Sequence, residues 1–209
     1  MLQFISHYND RYDYIRGVRE VLRGGCRWVQ LRMKDADDDS FMAVGRSVGA
    51  MCREAGAVFV LDDRVHLVEA LGADGVHLGK NDMPVAEARA ILGRGKIIGA
   101  TANTLDDMLA AVAAGADYIG LGPFRFTTTK ARLSPVLGVE GYLRLMSAFR
   151  EKSSIPVVAI GGITAADVPA LMDAGVSGIA MSGALLGAED AAAATDAIVN
   201  LISKYTYKK

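Results

Sequence analysis

The stretch Tyr118-Ile119-Gly120-Leu121-Gly122-Pro123-Phe124-Arg125-Phe126-Thr127-Thr128-Thr129-Lys130 poses the fold question. Tyr118-Ile119 reads as a short buried strand. Gly120, Gly122 and Pro123 then break it and open a loop. Three threonines and Lys130 follow, with no apolar periodicity to bury them. Threonine hydroxyls donate and accept hydrogen bonds and lysine adds a point charge, so the group suits an anionic ligand. A solvated loop that is merely threonine-rich is the plainer alternative. A polar loop after a buried strand is where α/β proteins keep their chemistry, so the fold turns on whether this unit recurs along the chain.

It recurs, with strand-like apolar runs at roughly 25-residue intervals. They cover residues 2–6, 27–31, 58–61, 75–78, 96–100, the run through Tyr118-Ile119, 156–160 and 178–181. Helix-like segments alternate with them at 12–23, 41–55, 66–71, from Pro84 onward, 105–114, 138–152, 165–174 and about 190–205. Eight strands alternating with eight helices predict an α/β single-domain (β/α)8 TIM barrel over residues 1–209. The Lys/Tyr-rich tail, 204–209, is expected to be loose. A doubly wound sheet is the rival. It would more often place a G-x-G-x-x-G turn after its first strand, and that turn is absent.

Composition narrows the function classes. The chain has 209 residues, 51% of them hydrophobic, enough for a large core without disulfides. A net charge of −1 argues against a general nucleic-acid binder. Cys26 and Cys52 have no metal-ligand spacing and read as reduced core thiols, which points to a cytoplasmic protein. The start, MLQFISHYNDRYDY, lacks a basic region followed by a long apolar core, so no signal peptide is expected. No window approaches the roughly 18 apolar residues of a membrane span. The expected partners are small molecules, with no nucleic acid and no membrane; a homo-oligomer is left open.

Candidate site residues cluster where strands end. Period-2 alternation puts Gln30, Arg32 and Lys34 on one side of the second strand, converging on the barrel mouth if that side is the interior. The acidic run 35–39 reads as an ordinary helix start that favours the N-terminal dipole. Asp62 and Asp63 follow the third strand; as neighbours their side chains should point opposite ways, so at most one faces the site. Asp82 is either the cap region of the helix that Pro84 opens or a second carboxylate at the mouth, and spacing alone favours the cap. His77 reads as a hydrogen-bonded interior residue, Thr101 as a hydroxyl at a strand end, and Thr104 with Asp107 as a capping-box variant. Gly161-Gly162 and Ser182-Gly183 follow the last two strands, where such barrels frequently bind phosphate through backbone N–H groups.

With these motifs placed, the sequence resembles the thiamine-phosphate synthase family across nearly its whole length. The resemblance is carried by Gln30-Leu31-Arg32-Met33-Lys34, Asp62-Asp63-Arg64, Asp74-Gly75-Val76-His77-Leu78-Gly79 with Asp82, Gly120-Leu121-Gly122-Pro123 through Lys130, Ala159-Ile160-Gly161-Gly162-Ile163, and the end of the eighth strand. It implies the Mg²⁺-dependent joining of 4-amino-2-methyl-5-(diphosphooxymethyl)pyrimidine to hydroxyethylthiazole phosphate, releasing pyrophosphate by a dissociative path. By resemblance, Gln30, Arg32, Lys34, Thr101 and Lys130 grip the pyrophosphate, with Arg32, Lys34 and Lys130 as the catalytic cations. Asp63 and Asp82 hold Mg²⁺, which overturns the cap reading of Asp82. Thr127, Thr128, Thr129, Gly162, Ser182 and Gly183 bind the thiazole phosphate.

The chain departs from the family pattern at four places. Asp62 stands where the family typically has an Asn facing the pyrimidine, Thr101 replaces a Ser, Ser182 comes one place before the usual Ser and so leaves Gly183 there, and Lys80 is commonly Gln. A thiazole tautomerase on the same barrel and a non-catalytic thiamine-phosphate binder are the rival functions. Arg32, Lys34, Asp63, Asp82 and the loop through Lys130 favour the synthase over the tautomerase.

Overall fold

The computed structural model describes residues 1–126 and 135–206. Eight parallel strands close into a barrel in sequence order: β1 (Leu2–Ile5), β2 (Trp28–Leu31), β3 (Val58–Asp62), β4 (Gly75–Leu78), β5 (Ile97–Ala102), β6 (Tyr118–Leu121), β7 (Val157–Ala159) and β8 (Gly178–Met181). β1 pairs with both β2 and β8, so no strand edge is left open. The helices α1 (Tyr14–Arg23), α2 (Asp38–Glu54), α3 (Val68–Leu71), α4 (Val85–Leu92), α5 (Leu105–Ala113), α6 (Gly138–Arg150), α7 (Val168–Asp173), α8 (Gly183–Leu186) and α9 (Ala191–Thr206) connect and follow them. Short 3₁₀ turns at Val65–Leu67 and Ala165–Asp167 lead into α3 and α7.

Alternation along the strands builds two separate apolar layers. Val29, Leu31, Phe59, Leu61, Val76, Ile98 and Ile119 face outward into the main core against the helices. The barrel interior is a small cluster of Ile5, Trp28, Val60, Tyr118, Val158 and Ala180. Tyr118 fills it at the cost of its neighbour: a Cβ on Gly99 would lie 2.1 Å from the Tyr118 ring, so the β5 position beside it must be glycine. Side chains two residues further along β2, β3 and β4 are polar: Gln30, Asp62 and His77 lie above this plug, buried at the barrel's C-terminal end.

The barrel and its strand order match the expectation, and β4 and β8 do so to the residue. Gly120 was read as a strand breaker, yet β6 runs on through Leu121. Gly120 is there for space, since a Cβ would stand 2.8 Å from the His77 ring. β5 likewise extends to Ala102, so Thr101 lies within the strand and pairs with Gly120 rather than following its end. Pro84 caps α4 from outside rather than occupying its first turn. α2 begins at Asp38, inside the acidic run, with the Asp37 carboxylate accepting from Ser40 N. α9 runs to Thr206, so the part of the tail at 204–206 is helical, and 207–209 lie outside the described residues. Both cysteines are free and buried, and burial pushes the Cys52 thiol up to about 12 and raises Cys26 as well. Among the described residues, no helix is long and apolar enough to cross a membrane.

Candidate active site

Each strand ends at the same rim, so residues far apart in sequence meet there. The densest meeting is around the Lys34 ammonium. Its Nζ stands 2.7 Å from Asp63 Oδ2, 3.1 Å from Asp62 Oδ2 and 3.9 Å from Asp82 Oδ1. Arg32 Nε approaches Asp62 Oδ2 at 3.7 Å, and Arg64 Nε approaches Asp63 Oδ1 at 3.5 Å. Burial alone would pull the Lys34 pKa down, but the Asp62 and Asp63 carboxylates outweigh it and hold the ammonium above its ordinary value. The cluster therefore holds three carboxylates and three cations, paired but crowded.

Asp62 and Asp63 both turn toward Lys34, and this corrects the expectation that only one could. Alternation fails because Asp63 is not in extended backbone. Its φ is +61°, the one positive φ outside glycine among the described residues. Aspartate tolerates this left-handed region better than most side chains. Backbone bonds fix the kink, with Asp63 N donating to His77 O at 3.0 Å and Arg64 N to Asp62 O at 2.9 Å. One left-handed residue thus redirects the second carboxylate to the side of the first.

Asp62 is 8% exposed and Gln30 2% exposed. Gln30 Nε2 donates to Asp62 Oδ1 at 2.7 Å. Gln30 Oε1 is buried without accepting a hydrogen bond, whereas Asp62 Oδ2 is taken up by its ion pairs with Lys34 and Arg32, so one open acceptor is left at the rim. Asp82 is no helix cap: its Oδ2 accepts from Gly79 N at 2.6 Å within the loop after β4, and α4 has no side-chain cap. That bond leaves Oδ1 toward Lys34.

His77 is the hydrogen-bonded interior residue the sequence suggested, and it links the plug to the rim. Gln3 Nε2 donates to the Tyr118 hydroxyl at 3.2 Å, His77 Nδ1 lies 3.0 Å from the same oxygen, and His77 Nε2 lies 3.0 Å from Thr101 Oγ1. Burial raises the Tyr118 pKa, so the phenol keeps its proton. That proton is satisfied by donation to Nδ1. The tautomer assigned from this network carries its hydrogen on Nε2 and donates to Thr101, whose own hydrogen is then available to a ligand.

The opposite part of the rim uses backbone. Gly161 and Gly162 have φ of +99° and +66°, and Cβ atoms there would come within 2.8 Å of Pro123 and 3.0 Å of Phe126 O. Arg125 clamps this turn, donating to Gly162 O at 2.7 Å and to both Asp167 oxygens at 2.8 and 2.9 Å. Ser182 follows β8 with its Oγ buried and without a hydrogen-bond partner, and Gly183 starts α8 with nothing within 4 Å of a would-be Cβ. Thr127, Thr128, Thr129 and Lys130 lie outside the described residues. Lys80 pairs with Asp107 at 2.6 Å, which occupies its charge away from the acids.

Sequence reasoning passed over Arg64 and Arg125. Arg64 follows the two acids directly, and Arg125 sits in the opening stretch, so both were visible; their partners are distant in sequence and were not. Among the described residues no group of three or more His, Cys, Asp or Glu side chains is arranged to hold a metal alone. Mg²⁺ usually takes one or two carboxylates and completes its shell with phosphate oxygens and water. Two aspartates gathered on one cation, Lys34 Nζ, make a hard-oxygen donor set that fits it.

Residues 2–185 match the family described as thiamine monophosphate synthase. The thiamine-phosphate synthase of Phocaeicola vulgatus is 55% identical over 96% of this chain and 97% of its own length. That of Bacteroides thetaiotaomicron is 53% identical over 96% of both chains. The solved structure of the thiamine phosphate pyrophosphorylase from Pyrococcus furiosus is 36% identical, covers 98% of this chain and 96% of its own, and superposes with a TM-score of 0.86.

Proposed function

The chain belongs to the thiamine monophosphate synthase family, and from that membership we propose how its barrel mouth performs the family reaction. It is an enzyme of thiamine biosynthesis, a transferase that forms thiamine phosphate from small phosphorylated substrates. The substrates we assign are 4-amino-2-methyl-5-(diphosphooxymethyl)pyrimidine and 4-methyl-5-(2-phosphooxyethyl)thiazole.

The first step separates pyrophosphate from the pyrimidine methylene carbon, which the electron-rich ring supports as a carbocation. The thiazole nitrogen then attacks that carbon. Such a path needs no nucleophilic side chain; it needs charge stabilisation on the leaving group and a fixed approach for the thiazole. Arg32, Lys34, Thr101 and Lys130 take the pyrophosphate oxygens. Asp63 and Asp82 would hold Mg²⁺, which would supply charge neutralisation to the diphosphate. Gln30, expected on the pyrophosphate, has its Nε2 committed to Asp62, so it and Asp62 face the pyrimidine instead, where the open Oε1 of Gln30 suits the amino group. Thr127, Thr128, Thr129, Gly162, Ser182 and Gly183 take the thiazole phosphate.

The observation that carries this reading is the gathering of Asp62, Asp63 and Asp82 within 4 Å of a single lysine nitrogen. A thiazole tautomerase, without the metal-pyrophosphate apparatus, does not call for that arrangement, and a non-catalytic binder is separated by turnover. Purified protein given both substrates should form thiamine phosphate and release pyrophosphate with Mg²⁺ and stall when the metal is chelated. Product formation undiminished by chelation would remove the metal role.

A further inference from the structure

Lys34 Nζ pairs with the two aspartates assigned to the metal, and the same ammonium is assigned to the diphosphate. Its Nζ sits among the same carboxylate oxygens that the metal reading assigns to Mg²⁺, at 2.7 Å from Asp63 and 3.9 Å from Asp82. Resting on that reading of the site, we propose that Lys34 is the residue that makes the enzyme select Mg²⁺ already bound to diphosphate over the free ion.

The argument is one of charge and space. Three carboxylates face the cations of Lys34, Arg32 and Arg64 within 4 Å, so the cluster has no net charge to offer a lone divalent ion. A free Mg²⁺ would have to enter against three positive charges and expel the ammonium into water with nothing in exchange. A metal–diphosphate complex brings its own anion. The ammonium leaves the aspartates as the metal arrives and moves onto phosphate oxygens, so each charge keeps a partner throughout. Lysine suits this exchange because it is a point charge on a flexible four-carbon stem. The Lys34 side chain is 38% exposed and so has room to swing, whereas Asp62 beside it is buried and hydrogen-bonded to Gln30. Asp63 and Asp82 are meanwhile held in place by backbone: Asp63 by its left-handed kink, and Asp82 by Gly79 N.

Mn²⁺ in place of Mg²⁺ makes the exchange measurable without turnover, by the loss of the free-ion EPR signal on binding. Wild-type protein should bind Mn²⁺ weakly alone and much more tightly with pyrophosphate present. Lys34→Met removes a like charge about 4 Å from the ion and should tighten binding of Mn²⁺ alone by about tenfold or more, while shrinking the gain from pyrophosphate. Lys34→Arg keeps the charge and should stay weak for Mn²⁺ alone, and circular dichroism checks that each variant is folded. Adding Asp63→Asn to Lys34→Met should erase the gain. If Lys34→Met binds Mn²⁺ alone no better than wild type while Asp63→Asn still weakens binding with pyrophosphate, the selection role is wrong and the metal site stands. A gain that survives Asp63→Asn would overturn both.

Discussion

Across the barrel mouth, the segments at the ends of β2, β3 and β4 present charged side chains, whereas the turns after β7 and β8 present backbone. The charged side balances three carboxylates against three cations around Lys34. The backbone side has two left-handed glycines clamped from behind by Arg125 and Asp167. Charges at that spacing can exchange partners, as the proposed metal-bound diphosphate would require. A glycine turn has one geometry, which suits a phosphate that is held and not transformed. The two sides should therefore break differently, the first through charge and the second through size.

The largest effect is expected at Asp63. Asp63→Asn keeps a side chain that accepts the left-handed backbone and removes only charge. Turnover should fall by about 10²-fold or more with little change in melting temperature, a loss on the scale of removing one preorganised electrostatic group. Lys130→Ala should fall comparably. Steady-state kinetics at saturating Mg²⁺ check both, and wild-type rates would dissolve the charged half of the comparison.

Gly162→Ala probes size on the other side. A β-carbon at φ +66° costs roughly 1–2 kcal/mol of backbone strain and meets Phe126 O at 3.0 Å. The KM for the thiazole phosphate should rise about tenfold while the KM for the pyrimidine diphosphate holds. A rise in the latter alone would assign the turn to the wrong substrate.

Asp62→Asn sharpens the charged side. Asparagine preserves an oxygen for Gln30 and removes a carboxylate that faces the cations proposed for the diphosphate, so pyrophosphate should bind a few-fold more tightly, about 1 kcal/mol or less in a screened setting. Weaker binding, read by calorimetry, would mean that the Asp62 charge orders Arg32 and Lys34 more than it repels the anion.

The smallest effect is on stability, at the clamp. The Arg125 hydrogen bonds hold the Asp167 carboxyl down at about 2 from 3.8. A depressed folded-state pKa stabilises above the unfolded value and loses that contribution as pH falls through the folded one. Asp167→Asn should therefore cost about 1 kcal/mol at pH 7, discounted for the half-exposed guanidinium, and the gap to wild type should close between pH 3.8 and about 2. Urea unfolding across that range reads it; a gap constant with pH would put the cost in packing.

The barrel was legible because its signal is repetitive: apolar runs and glycine turns recur, and a misplaced boundary at one unit does not change the whole. The site was legible in its members and not in its contacts. Gln30 lies within β2 and follows from alternation, and Arg32 and Lys34, just past its end at Leu31, still reach the same rim. Asp63 defeated the same rule, since a single left-handed residue leaves no mark in composition or spacing. Gly120 misled in the other direction: glycine after an apolar run reads as a break, but here the missing side chain makes room for His77 across the barrel. That Lys34 sits among the aspartates depends on three separate loops meeting, and no local pattern encodes it.

The most direct test is a crystal structure of the protein with Mn²⁺ and pyrophosphate, read by the anomalous signal of the metal. The account predicts one Mn²⁺ peak within direct coordination distance of carboxylate oxygens of Asp63 and Asp82, with Lys34 Nζ on phosphate oxygens and away from the acids. A peak elsewhere on the rim, with Lys34 still lodged among the three aspartates, would contradict it.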